Sequence, residues 1–186
     1  MSGIDPRKHR YYSQAGLDQL AEVMDAERPA PRCVVEIGSG VGDSARTLAR
    51  HAGTDSVTWS IDPYRFGRGD AFLAEFYRRT SPHEQVRKVV QVRMGSAEAA
   101  ARWPRMCGEL IDVLHIDGDH ASKAVNDDIT LWHPHVKTGG LYVGHDWDTA
   151  HDGVRRAVTR AVENGWLESL RTWPCAGVWA ARRADR

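Results

Sequence analysis

Apolar positions recur at helical spacing over residues 12–26, where Leu17, Leu20, Ala21 and Met24 fall on one face, and the proline-rich stretch 28–32 ends that helix. A short β-branched run at residues 33–37 is stopped by Gly38-Ser39-Gly40-Val41-Gly42, after which residues 43–51 read as a second helix. The same alternation continues along the chain. Strands are predicted at 57–62, 89–94, 110–117 and 141–144, and helices at 70–79, 96–103, 121–132 and 153–164, with Thr138, Gly139 and Gly140 as the turn before the fifth strand. The run 110–117 is apolar almost throughout, as a central parallel strand covered on both faces should be. Residues 166–173 and 177–181 then read as two strands joined through Pro174 with no helix between them.

Repeated strand and helix units imply an α/β fold: a doubly wound, Rossmann-like, mostly parallel sheet with helices on both faces, closed by a C-terminal antiparallel hairpin. No repeat, low-complexity tract or linker divides the sequence, so residues 1–186 are expected to form a single domain. With no separate substrate domain, the acceptor site must come from loops, from the helical segment 1–30 or from a second subunit. A homo-oligomer, a dimer or larger, is expected on the same ground.

At 186 residues and 41% hydrophobic content the chain can bury one sizeable core. Its 25 basic residues balance 25 acidic ones, so no whole-chain field would hold it on nucleic acid or an anionic membrane, and a small neutral substrate suits it better. No apolar run approaches the roughly 20 residues of a membrane span. Residues 1–10 lack the apolar stretch of a secretory signal, and a cytoplasmic location is expected. Cys33, Cys107 and Cys175 are an odd set at scattered spacings, which suits reduced, packed thiols better than a disulfide frame or a zinc site.

In an open α/β sheet a ligand lies beyond the carboxyl ends of the strands, where a glycine turn lets backbone approach and a helix N-terminus presents free N–H groups. Glu36-Ile37-Gly38-Ser39-Gly40-Val41-Gly42 is such a turn. A dinucleotide fingerprint wants a further glycine three residues after Gly40, where Asp43 stands, and Gly42 is out of register. Glu36 and Asp43 add negative charge that a pyrophosphate would oppose and a sulfonium or ammonium group would welcome, which favours S-adenosylmethionine. Asp62, ending the second strand, can accept both ribose hydroxyls in either cofactor class. Ser96, at the turn after the third strand, can meet an adenine.

The densest chemistry lies in His115-Ile116-Asp117-Gly118-Asp119-His120 and Gly144-His145-Asp146-Trp147-Asp148. Both segments end central strands, so Asp117 and Asp146 can hold one hard cation, with Mg2+ the natural candidate. Such a cation lowers the pKa of an alcohol, and a nearby histidine can take its proton. Asp119 and Asp148 read as turn or helix caps, His115 as a hydrogen-bonded core residue, and His133 and His135 as solvent-facing groups at a helix end. Tyr11, Tyr12, Tyr64 and Trp147 can line an apolar wall or simply pack, and Arg65, Arg68 and Arg78 read as an anion site or a solvated face.

Residues 35–40, 60–62, 111–120 and 137–148 together resemble the cofactor and metal motifs of class I methyltransferases. The likeness falls closest to the branch with the macrocin and mycinamicin sugar O-methyltransferases and the cephalosporin-hydroxylase-like proteins, and it covers most of residues 33–148 in order. The resemblance implies Glu36, Gly38, Ser39, Gly40, Asp62, Ser96 and Asp117 as cofactor contacts, and His120 as catalytic base beside Asp117 and His145. It implies Asp117, His145 and Asp146 around a divalent cation. The family usually follows its fifth strand with Glu-Asp or Asp-Asn, whereas this chain has His145-Asp146, and imidazole suits Mn2+, Fe2+ or Zn2+ more than Mg2+.

Together these readings predict an S-adenosylmethionine-dependent, metal-assisted O-methyltransferase acting on a sugar or another small polyhydroxylated metabolite. Two other readings compete. The glycine turn with Asp62 also fits a nicotinamide-dependent oxidoreductase, and the lack of an acceptor domain fits a non-catalytic nucleotide-binding module.

Overall fold

Ser13 Oγ accepts the Gly16 amide at 3.0 Å and so caps α1 (Gln14–Asp25), satisfying one of the donors a helix start leaves open. In the computed structural model, which describes residues 5, 8, 11–65, 69–81, 88–147 and 152–185, strands and helices then alternate as their hydrophobic periods dictate. They are β1 (Cys33–Ile37), α2 (Asp43–His51), β2 (Val57–Ile61), α3 (Gly69–Thr80), β3 (Lys88–Val92) and α4 (Ser96–Met106). After them come β4 (Ile111–Ile116), α5 (Ser122–Trp132), β5 (Val136–Gly144), α6 (Asp152–Glu163), β6 (Leu167–Trp173) and β7 (Val178–Arg183).

Seven strands make one sheet in the order β3-β2-β1-β4-β5-β7-β6, in which β7 runs antiparallel to both its neighbours. The order reverses beside β1, so the crevice between the carboxyl ends of β1 and β4 is the place where such sheets hold ligands. Successive side chains of a strand point to opposite faces, and here both faces are apolar. Val34, Val113, Leu141 and Val143 meet α1 and α2 on one side, with Leu20, Met24 and Leu48 against them. Val35, Leu114, Ile116 and Tyr142 meet α4, α5 and α6 on the other. Phe72 and Phe76 of α3 pack on Val41 and Ala45 beside α2. No helix among the described residues is long and apolar enough to cross a membrane.

The sequence reading needs correcting in three places. β5 starts at Val136, not at 141, because the chain passes Gly139 at φ 71 without leaving the sheet and absorbs it as a register shift against Ile111 and Val113. α4 runs past Trp103 to Met106 with Pro104 inside it, and the Ala100 carbonyl that Pro104 cannot serve is hydrogen-bonded to His135. His133 does not meet solvent. It is buried edge-on against Trp166, with ring centroids 4.7 Å apart, and accepts from Arg183 Nε at 3.2 Å.

Trp103 is the centre of an aromatic row under the sheet, edge-on to Trp59 at 5.5 Å and to Trp132 at 5.6 Å. Truncating a fully buried aromatic of this size removes its transfer free energy and leaves a cavity. Trp103→Ala is therefore expected to lower the unfolding free energy by about 3–5 kcal/mol in denaturant titration, whereas a loss under about 1 kcal/mol would show that this row is dispensable.

Candidate active site

Gly38 leaves β1 at φ 90, a conformation that L side chains rarely adopt, and a methyl group there would collide with the carbonyl of Asp117. Glycine is required because two strand ends must touch. The turn continues through Gly40, whose amide donates to Asp62 Oδ2 at 3.1 Å and whose Cα lies under the ring of Tyr11. Asp62 Oδ1 accepts the Tyr64 amide at 2.8 Å, and Tyr64 Oη donates back to the Gly40 carbonyl at 3.0 Å. The turn, the acid and the tyrosine thus fix one another before any ligand arrives.

These groups line a cleft of about 1280 Å³, open along the carboxyl ends of the strands. Gly38, Ser39, Gly40, Asp62, Ser96, Asp117, His120, His145 and Asp146, all singled out from the sequence, lie on its wall. Tyr11, Tyr12 and Tyr64 line it as well, so the segment before α1 contributes to the site, while Trp147 packs against the core instead. Among the described residues of the lining, Arg65 is the one arginine or lysine, facing seven aspartates. Such a cleft repels phosphate and attracts a cation.

Glu36 sits behind the wall and not on it. Its side chain is fully buried in β1, where Ser44 Oγ donates to Oε1 at 2.5 Å and the Ser60 hydroxyl donates to Oε2. Burial pushes this carboxyl up to about 7, against the two hydroxyls that lower it. Ser60 also lies 2.8 Å from Ser39 Oγ, so Glu36 acts on the cleft by holding the floor of the glycine turn.

Two imidazoles flank the carboxylates at the strand ends. Asp117, His120 and Asp146 each offer a ligand atom within 4.8 Å of the others. His120 Nε2 lies 2.9 Å from Asp146 Oδ2, and His145 Nδ1 stands 3.5 Å from Asp146 Oδ1 and 3.9 Å from Asp117 Oδ1. Asp146 takes a left-handed backbone conformation, φ 59, which aspartate tolerates better than most residues and which turns its carboxylate toward His120. The pair divides in character. Hydrogen bonds from His120 and His145 hold Asp146 well below the usual carboxylate range in spite of its burial, whereas burial and the neighbouring Asp146 and Glu36 push Asp117 well above it.

The imidazoles differ in freedom. The ring of Tyr12 stacks on His145 at 3.9 Å and pins it, leaving 13% of its side chain exposed, while 36% of His120 is open to the cleft. Tyr12 Oη is also 2.7 Å from Nε2 of His115, which is the hydrogen-bonded core residue the sequence suggested, and burial pushes that imidazole down to about 3.

Ser96 is not a free hydroxyl at the base end of the cleft. It donates to Asp128 Oδ1 at 2.5 Å and accepts from Trp132 Nε1 at 2.9 Å, and burial pushes Asp128 up to about 6. The sequence reading missed both partners, although an acid in the buried stripe of Val125, Ile129 and Trp132 was a visible signal. Asp119 accepts the Ala121 amide at 2.8 Å, as a turn cap does. Arg78 is spent on Glu75 at 2.7 Å and assembles no anion site with Arg65. Asp148 and Arg68 lie outside the described residues.

The profile of a methyltransferase-domain family matches residues 35–147. Among solved structures the chain is similar to the O-methyltransferase TomG from Streptomyces achromogenes, involved in tomaymycin synthesis and solved with SAM. That likeness has 16% identity, spans 93% of this chain and 81% of that one, and has a TM-score of 0.72. It is similar to a SAM-dependent O-methyltransferase from Thermotoga maritima, with 13% identity, 97% and 69% of the two chains and a TM-score of 0.74. It is similar as well to an O-methyltransferase from Bacillus cereus solved with SAH, with 15% identity, 92% and 82% coverage and a TM-score of 0.68. At these identities the likeness is one of fold. No curated protein matches the chain in sequence.

Because the Glu36 carboxyl is raised from 4.5 to about 7, the folded chain keeps it protonated where the unfolded chain ionises it. The stabilisation is complete below pH 4.5 and is lost as pH rises through 7. Glu36→Gln cannot ionise. Between pH 5 and pH 8 the wild-type chain is expected to lose on the order of 2–3 kcal/mol more unfolding free energy than the variant in denaturant titrations. Parallel losses would place the Glu36 carboxylate in contact with solvent.

Proposed function

The chain belongs to the methyltransferase-domain family, and from that premise we propose that it is an S-adenosylmethionine-dependent O-methyltransferase acting, with a divalent cation, on a hydroxyl of a sugar or another small polyhydroxylated acceptor. One observation carries the reading. Asp117, His120 and Asp146 converge on the same cleft wall as Gly38, Gly40 and Asp62, so a carboxylate pair, a base and a glycine turn share one space.

The acidic lining supports a cationic methyl donor, and the absence of a glycine in the dinucleotide register argues against a nicotinamide cofactor. Asp62 retains lone pairs for ribose hydroxyls after accepting two amides, and Ser96 borders the space an adenine would fill. S-adenosylmethionine supplies an electrophilic methyl group, and the cation supplies a charge that lowers the pKa of the acceptor hydroxyl. Asp117 and Asp146 would hold such a cation, with His145, whose Nδ1 stands 3.9 and 3.5 Å from their oxygens, as the third donor.

His120 is then the base. Its bond to Asp146 fixes the ring and stabilises the imidazolium that forms when it takes the hydroxyl proton, and its open face meets the acceptor. Tyr11, half exposed at the cleft, offers aromatic surface on which a sugar ring can stack, which supports a small acceptor. Assembly into a homo-oligomer would complete the open side of the cleft.

Calorimetric titration of the metal-stripped chain with S-adenosylmethionine and with NADH, each with and without Mg2+ or Mn2+, tests the cofactor. S-adenosylmethionine is expected to bind and NADH to fail, and the reverse would overturn the reading. With an acceptor in hand, His120→Ala is expected to lower kcat about 10²–10⁴-fold while S-adenosylmethionine binding persists. Full turnover in His120→Ala and Asp117→Ala would remove the assigned base and cation. Cofactor binding without turnover across a broad panel of hydroxylated acceptors would favour the non-catalytic module.

A further inference from the structure

Cys33 opens β1 and Cys107 caps the end of α4, far apart in sequence, yet the sheet brings their thiols and the Glu109 carboxylate together at its amino-terminal edge. The three ligand atoms lie within 4.8 Å of one another. Cys33 is buried, Cys107 half-buried and Glu109 exposed, so the cluster reaches from the core to solvent.

Each donor stands on fixed backbone. Asp112 accepts the amides of Arg32 at 2.7 Å and of Cys33 at 2.9 Å, which holds the start of β1. The Cys107 and Gly108 amides both donate to the Trp103 carbonyl, and Gly108 turns at φ 74 to bring the chain round to Glu109. Trp103 Nε1 donates to the Glu109 carbonyl at 3.0 Å and clamps that turn. Donors held in this way lose little freedom when a ligand arrives.

The cluster combines two thiols with one carboxylate. Lys137, near this edge, is paired with Asp112. Among the described residues no ion pair engages Glu109.

We propose that Cys33, Cys107 and Glu109 form a metal site for a thiophilic divalent cation, Zn2+ by preference, at the end of the sheet opposite the cleft. Two sulfur donors select Zn2+ over Mg2+, and tetrahedral zinc leaves the fourth position to water on the exposed side. Binding breaks both S–H bonds, forms two metal–sulfur bonds and releases two protons to solvent, with no change of oxidation state. Affinity therefore rises roughly 100-fold per pH unit below the thiol range. The bound ion joins the start of β1, the end of α4 and the approach to β4. The site owes nothing to the methyl-transfer reading.

Co2+ titration of the full, reduced, metal-stripped chain tests it, because two thiolates on Co2+ give an intense near-ultraviolet charge-transfer band that oxygen and imidazole ligands lack. One equivalent is expected to develop the band, and one equivalent of Zn2+ to abolish it with release of two protons. Asp117→Ala should leave the band unchanged, which separates this site from the cleft. Cys107→Ser, at a half-buried position, should remove the band while circular dichroism shows a folded chain. Glu109→Gln should keep the band but weaken Zn2+ binding at least roughly tenfold, as much as even outer partners of a metal contribute. A folded chain with no band at saturating Co2+, a band that survives Cys107→Ser, or binding indifferent to Glu109→Gln would overturn the assignment.

Discussion

The Asp117 amide donates to the Ile37 carbonyl at 2.9 Å and the Gly38 amide to the Ile61 carbonyl at 2.8 Å, so the parallel ladder runs on past the ends of β2, β1 and β4. Because the backbone of Gly38 presses on the Asp117 carbonyl, no side chain can stand between the two strand ends. That contact places the glycine turn, Asp62 and Asp117 side by side. The remaining pieces are hung on it. Tyr64 closes over the turn, His120 follows Asp117 by three residues, and Asp146 arrives from β5 through the register that pairs Ile116 with Gly144.

Around that frame the buried acids have been sorted by their neighbours. Glu36 and Asp117 lie deep and stay protonated more readily than ordinary carboxyls, while Asp146, reached by two imidazoles, stays ionised. Glu36 faces the neutral His115 at 3.6 Å, so two groups that could have formed a buried ion pair avoid the desolvation that such a pair would cost. Charge is thus kept on Asp146, between its two imidazoles, and removed from Glu36 behind the wall.

The order of strands and helices was legible because each apolar run is bounded by a glycine, a proline or a cap. Chemistry at strand ends was legible too, since Gly38-Ser39-Gly40, Asp62 and Asp117 each follow a strand directly and Asp146 comes one residue later. Other features were hidden by physics that acts only across the sheet. Gly139 reads as a turn in isolation, but it lies in a register shift between Val136 and Leu141, which both pair with β4 and carry the strand past it. Glu36 reads as a cleft residue from its motif, yet strand alternation and the hydroxyls of Ser44 and Ser60 turn it into the core. The partners of Ser96 come from a helix some thirty residues later, and the meeting of Cys33 with Cys107 depends on where α4 ends.

α1 packs its apolar face, Leu20 and Met24 among others, against Val178 and Ala180 of β7, and Gly16 lies against the Ala176 carbonyl. On the ribosome α1 therefore emerges long before the strand that covers it. Until β7 slots between β5 and β6, the helix has an unburied stripe, and Tyr12 has no settled platform from which to reach His115 across 103 residues of chain. Contacts of such separation repay their loop-closure entropy late. The wall of the cleft is accordingly a product of completed folding, and a nascent chain that has built β1 to β5 holds the strand-end acids without the aromatic surface that confines a guest among them.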